Sequence, residues 1–330
     1  MKNSAALRRS ALVIAPVLLI AGLAGCAPAD SETSAADAVW SYTDDVGTTV
    51  NLDHEPERVA SFTDYATGLF GAGIEPVAVF GRTDVASDER FADYDLSNTE
   101  IVGNSYGEID LEALAEAAPD LIIVGASPGD REGTIDLPYY GFADQEQQDQ
   151  IEKIAPILTI TVGGNGADII ASENKLAEAL GGDADLIAAA KAGYDAAAAD
   201  LTAAAAESTV EVTHLYADAD GLYLYKPADN PEDALYASLG VTFTDLAPEG
   251  DYFWDTYSWE NAATTMGGDV LLIDNEGYQL ADLEAQPTFA SHPALAAGQT
   301  HSWIVTSFDY TAQAAHMTEL AAILRASHAL

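Results

Sequence analysis

A single cysteine, Cys26, and only 12 lysines and arginines are the scarcities of this 330-residue chain. One thiol cannot close an internal disulfide, and beyond it no cysteine is available as metal ligand or nucleophile. Against 54 aspartates and glutamates the few basic residues leave a formal net charge of -42, and Lys2, Arg8 and Arg9 lie in the first nine positions. So acidic a body repels nucleic acid and acidic membrane surfaces, and neither is expected as a partner. Its charge fits a solvated surface suited to salt or low pH, or the attraction of a cationic ligand. Catalytic signatures are scarce too. There is no His-Glu-x-x-His and no Gly-x-x-x-x-Gly-Lys-Ser/Thr loop, and Gly163-Gly164-Asn165-Gly166 is a poor dinucleotide fingerprint. No enzyme and no resident cofactor are expected. Six histidines, among them His214 and His316, offer no pair at ligand spacing on one helix, which argues against a free-metal receptor.

What is present begins with a leader. Lys2, Arg8 and Arg9 precede an uncharged run from Ala11 to Gly22, short and interrupted by Pro16. That is a signal peptide over residues 1–25 rather than a permanent span. Leu23-Ala24-Gly25-Cys26 resembles the bacterial lipobox, which implies a lipid on Cys26 and membrane contact through that lipid only. Residues 26–38 end in APADSETSAADA, small, polar and acidic, a flexible tether. About 305 residues remain, enough for two lobes.

The body is organised around Asp183 to Glu207, an alanine-crowded stretch free of proline. Alanine is the best helix former, and Leu186, Ile187, Ala190, Tyr194, Ala197, Ala198 and Leu201 recur at helical spacing. A rod of roughly 35 Å is predicted, a strut between two similar halves. Before it come a hairpin over Trp40–Leu52, strands at Arg58–Phe62, Pro76–Phe80, Leu121–Val124 and Pro156–Val162, and short helices between. After it come strands at Val210–Tyr216, Leu222–Tyr225, Val241–Phe243, Asp269–Ile273 and Ser302–Thr306, with helices at Glu232–Leu239, Trp259–Met266 and Tyr310–Ala326. Strand and helix in alternation imply α/β lobes with mainly parallel sheets. The expected divisions are an N-terminal lobe over 39–166, a bridging helical region over 167–207 and a C-terminal lobe over 208–330.

Two phrases recur across the strut. DLEALAEAAPDLIIV (Asp110 to Val124) matches SWENAATTMGGDVLLI (Ser258 to Ile273), each a glutamate opening a helix, a breaker, an aspartate and a buried strand. LFGAGIEPV (Leu69 to Val77) likewise resembles LYASLGVTF (Leu235 to Phe243). Their common order favours paired lobes.

The lipobox, the hairpin running into PERVASF, the two long phrases and the central helix together resemble the substrate-binding lipoproteins of iron-siderophore, haem and vitamin B12 ABC importers. The resemblance covers most of Trp40 to Leu330. It implies a lipid-anchored, monomeric, extracytoplasmic receptor with two α/β lobes bridged by one long helix and ligand in the cleft between them. The partners it implies are a ferric siderophore, for which a hydroxamate type is favoured, and an ABC-transporter permease; haem and vitamin B12 are the alternatives. It also implies one glutamate per lobe presented to permease arginines, at Glu112 and Glu260. Each sits at a helix start, where the dipole also favours a carboxylate.

A bulky iron chelate calls for aromatic walls and one or two basic side chains. Arg82 follows the second strand and Arg131 a strand-end loop, so both are candidate contacts, with Lys226 behind them; Arg58 lies at the wrong strand edge. The aromatic candidates are Tyr65, Tyr140, Tyr216, Tyr225 and Phe308 near strand ends, Tyr106 before the Glu112 helix, and Trp254 and Tyr257 in an aromatic run. The run DYFWDTYSW from Asp251 is expected as a cleft wall.

Overall fold

The computed structural model describes residues 38–244, 250–262, 267–305 and 307–330. The leader, Cys26 and the tether as far as residue 37 lie outside that set, as do the end of the helix expected from Trp259 and Thr306. Strands β3 (Val59–Phe62), β4 (Ala78–Gly81), β5 (Glu100–Asn104), β6 (Leu121–Ala126) and β7 (Ile157–Thr161) form one sheet in the order β5-β4-β3-β6-β7. Every pairing in it is parallel. Every residue of β3, β4 and β6 is buried. Layers on both faces hide such strands, which is why they read as unbroken apolar runs. Helices α1 (Thr63–Gly71), α2 (Leu111–Glu116) and α3 (Gln145–Ile151) make the connections. The hairpin of β1 (Trp40–Thr43) and β2 (Thr49–Leu52) docks on β7, where the buried Asp44 carboxylate accepts from Thr159 N and Oγ1 at 3.0 and 2.8 Å.

The second sheet has the order β10-β9-β8-β11-β12. Its strands are β8 (Val212–Ala217), β9 (Gly221–Tyr225), β10 (Trp254–Ser258), β11 (Val270–Asp274) and β12 (Thr300–Trp303). β8, β11 and β12 run parallel, whereas β9 and β10 are antiparallel additions at one edge. The aromatic run expected as a cleft wall thus contains an edge strand. The segment read as a strand at Val241–Phe243 makes a single parallel bridge, Phe243 with Val212. Helices α6 (Pro231–Ser238), α7 (Leu280–Ala285), α8 (Pro293–Ala297) and α9 (Tyr310–Ala326) belong to this half.

The echoed phrases occupy equivalent places. Each longer one ends in the strand beside the first strand of its five-stranded sheet: β6 beside β3, β11 beside β8. Their shared aspartate does the same work twice. Asp120 accepts from the amides of Glu57 and Arg58, just ahead of β3, and Asp269 accepts from Glu211 N, just ahead of β8.

Helix α4 (Gly166–Ala179) leads to the elbow before the strut. Gly181 there has φ +81°, the left-handed conformation that glycine takes without strain, and its amide donates to Glu178 O. Helix α5 (Ala184–Glu207) is continuous over 24 residues, about 36 Å. Asp183 caps it, accepting from Asp185 N and Leu186 N, while its own amide donates to Ala72 O of the first half. Ile187 packs with Ala72 and Ala177, and further along Ala197, Leu201, Ala204 and Ala205 enter the second half's core. The strut is not solitary. α9 lies along it, with Tyr194 and Tyr310 rings 5.3 Å apart and Asp200 paired to Arg325 at 2.6 Å. Among the described residues no helix is long and apolar enough to cross a membrane.

Candidate functional site between the sheets

Parallel strands deliver the loops after their carboxyl ends to one edge, where ligand crevices of open α/β sheets form. At that edge of the first sheet stand Asp64, in the first turn of α1, and Arg82, just after β4. Arg82 Nη1 donates to Asp64 at 2.7 Å, and Arg90 Nη1 donates to the same carboxylate at 2.6 Å. Burial opposes the charge of Asp64, but Arg82 and then Arg90 hold its pKa below the usual range. Arg82 also reaches across to the second half, where its Nε meets both oxygens of Glu276 at 3.0 Å. Arg131 makes a second crossing, donating to Asp229 at 2.6 Å and to the carbonyls of Gly250 and Asp251.

Aromatic side chains line both sides. Tyr140 packs edge-on against Phe62 at 5.6 Å, and the half-exposed Tyr106 packs against Tyr140 at 5.3 Å. Burial pushes the Tyr140 hydroxyl up to about 12 although Arg82 pulls the other way. In the second half, period-two alternation puts Tyr216 of β8, Tyr223 and Tyr225 of β9 and Trp254 of β10 on one face. Tyr223 lies 5.5 Å from both Tyr216 and Trp254, and Trp254 lies 5.6 Å from Tyr225. The Tyr225 hydroxyl donates to Asp274 at 3.0 Å, and burial raises the pKa of both groups.

Other candidates fall elsewhere. Tyr257 has the opposite parity on β10 and packs with the Leu215–Leu222 core on the far face. Tyr65 is buried in the first core, where a Cβ at Gly125 would meet its hydroxyl at 2.3 Å. Phe308 packs against the cores of both halves, as an interface side chain. Glu112 is exposed on the first turn of α2, whose cap Asp110 accepts from the amides of Glu112 and Ala113. Glu260 is also exposed, two residues past Ser258, whose carbonyl accepts from Asn261 N. Arg58 donates to the carbonyls of Ala117 and Ala118 at the amino edge. Lys226 pairs with Asp255 at 2.8 Å.

Sequence reasoning missed Asp64, Asp229, Asp274 and Glu276. Asp64 had a signal, since residues after neighbouring parallel strands are neighbours; Glu276 had none, being 194 residues from Arg82. It also missed a buried cluster. His214, Glu232 and Asp233 bring one ligand atom each within 4.8 Å of one another, a set that could hold a metal ion. Each is engaged within the protein: His214 Nδ1 with Asp233 at 3.0 Å, and Glu232 with Tyr236, Trp303 and Gln313. One catalytic spacing does occur, Gly125-Ala126-Ser127-Pro128-Gly129, running out of the last two residues of β6. A nucleophile elbow requires strand, sharp turn and helix; here β6 runs into a loop whose Pro128 bridges Ile135.

A family model described as "Periplasmic binding protein" matches residues 59–303. Similar crystal structures include DesE, a ferric-siderophore receptor protein from Streptomyces coelicolor. It is 29% identical, with TM-score 0.76 over 87% of this chain and 98% of that one. The siderophore periplasmic binding protein from the fuscachelin gene cluster of Thermobifida fusca is 23% identical, with TM-score 0.60 over 82% and 97%. The siderophore binding protein FhuD from Vibrio cholerae, bound to Fe3+-Desferal, is 18% identical, with TM-score 0.59 over 83% and 99%. The last two share the fold. No curated protein matches the chain.

Proposed function

The chain belongs to the periplasmic binding protein family, and from that premise we propose that it captures a ferric siderophore, of hydroxamate type, and delivers it to an ABC-transporter permease. The observation that carries this reading is an aromatic face on each half, Tyr216, Tyr223, Tyr225 and Trp254 on one and Tyr106 and Tyr140 on the other, with Arg82 of the first half reaching Glu276 of the second. Flat rings with polar edges suit a bulky, amide-rich chelate. The likeness to a ferric-siderophore receptor over most of both chains supports it. The continuous α5, backed by α9, favours small adjustments over wide hinge opening. In this reading residues 1–25 are removed, a lipid on Cys26 anchors the protein to the outer face of the cell membrane, and residues 26–38 tether a body whose lobes divide at 167–207. Glu112, in the first turn of α2, and Glu260, two residues past the end of β10, meet arginines of the permease.

The test is tryptophan quenching of the full-length protein in nonionic detergent against ferric siderophores, haem and cobalamin, with Trp254 as the reporter. Tight quenching by ferric hydroxamates is expected, and quenching by haem alone would overturn the ligand. Replacing Glu112 and Glu260 together by alanine should leave affinity intact and abolish uptake; weakened binding would place them in the pocket instead.

A further inference from the structure

The basic residues at the gap are already neutralised. Arg82, Arg90 and Lys226 have side chains only 10, 7 and 3% exposed, and each pairs with a carboxylate at 2.8 Å or less. Arg131 is more open but shares both its Nε and Nη2 with Asp229. Around Arg82 the balance turns negative. Two guanidinium groups, Arg82 and Arg90, face three carboxylates, Asp64, Asp88 and Glu276. Asp274 adds a fourth acidic group there: among the described residues no basic side chain bonds it, and it accepts from Tyr225 and from Glu276 N. Glu276 shows 28% of its side chain to solvent, the most open of the carboxylates in this ion-pair network. Beside it, Tyr216 packs over Gly277, with the Tyr223 and Trp254 rings in series behind. Electron-rich ring faces next to a surplus carboxylate attract a cation and repel an anion.

We propose that the cleft selects its cargo by charge, favouring a complex that carries an ammonium group, and that Glu276 is the residue enforcing the choice. This deepens the siderophore reading and rests on it. The cationic end lies against Glu276 and the Tyr216–Tyr223–Trp254 rings. An anionic end there meets Arg82 already paired with Asp64 and Glu276. Arg82 Nη2 has no partner among the described residues, but it is buried, so an anion must displace Glu276 to reach the guanidinium. The protein's overall negative charge would also draw cations, but at physiological salt such long-range attraction is screened beyond about 8 Å. A preference set by Glu276 at contact distance persists in salt.

Three ferric trishydroxamates decide the matter: ferric desferrioxamine with its free amine, the N-acetyl derivative and the N-succinyl derivative, which are cationic, neutral and anionic at one end. Titrated into the full-length protein at physiological salt, the amine form should bind roughly tenfold tighter than the acetyl form and roughly a hundredfold tighter than the succinyl form. Glu276→Gln should bring the three within about threefold of one another. Equal affinity for all three in the unaltered protein overturns charge selection and leaves the siderophore reading standing, as does tighter binding of a ferric tris-catecholate, a trianion. An undiminished preference in Glu276→Gln overturns the assignment to Glu276. Failure of every ferric chelate to bind removes the siderophore reading and this inference with it.

Discussion

Glu173 on α4 and Glu232 on α6 carry the same side chain into opposite surroundings. Glu173 is 7% exposed at the junction of the halves, and among the described residues neither of its oxygens has a hydrogen-bond partner. It borders a cavity of about 30 Å3 with Tyr65, Leu69, Ile187, Asp309 and Tyr310, room for about one water. Gly68 lets it fit: a Cβ there would stand 3.0 Å from Glu173 Oε2. Burial lifts its pKa well above the usual carboxyl range, and repulsion from Asp309 and Asp64 adds to the effect. Glu232 is as deeply buried but wired. Tyr236 and Gln313 donate to Oε1, Trp303 donates to Oε2, and the His316 ring lies 3.2 Å away. Burial still opposes its charge, yet His316, His214 and Trp303 together bring its pKa down to about 2. Burial alone neutralises a carboxyl; donors and imidazoles built around it keep it ionised.

The largest effect that can break this comparison is Glu232→Ala. Removing the acceptor from buried donors and imidazoles should cost about 3 to 5 kcal/mol in chemical denaturation. A loss below about 1 kcal/mol would put the two glutamates on one footing. Next comes acid. Because Glu232 ionises at a lower pH folded than unfolded, its stabilisation is complete above about pH 4.5 and fades as pH falls toward about 2. The gap between the unaltered protein and Glu232→Gln, about 3 kcal/mol near pH 6, should therefore close on acidification. Glu173 runs the other way. With its folded pKa raised, its contribution is complete below its unfolded value and is lost as pH rises through the folded one. Glu173→Gln should therefore raise stability by about 1 to 2 kcal/mol near neutral pH and lose that advantage in acid, as melting curves would show. A uniform gain at all pH values would point to packing instead. The smallest effect is reserved for Arg325→Ala, whose partner Asp200 is exposed; its melting temperature should match the parent's.

Elements with local causes were legible. The terminal helix was read at its observed bounds, Tyr310–Ala326, and the strut within one residue, because alanine density and an aspartate cap are properties of the stretch itself. β5 went unread: Glu100–Asn104 is a short edge strand with a glycine inside, given its pairing by β4 rather than by its own pattern. α3, α7 and α8 went unread too, all brief and held by packing and caps. Among the candidates, Tyr216 and Tyr225 could be named from strand ends, and Trp254 from the aromatic run that contains β10. Tyr257, three residues after Trp254, looked equivalent until strand parity sent it to the opposite face.

The order of residues alone settled the α/β alternation, the duplicated half and the long alanine helix, since each follows from periodicity and propensity over a few dozen positions. Folding decided which charges meet. Arg82 with Glu276, Arg131 with Asp229 and Glu232 with His316 join side chains 84 to 194 positions apart. A carboxylate's charge depends on which donors surround it, and that neighbourhood exists only once the two sheets and their helices have packed.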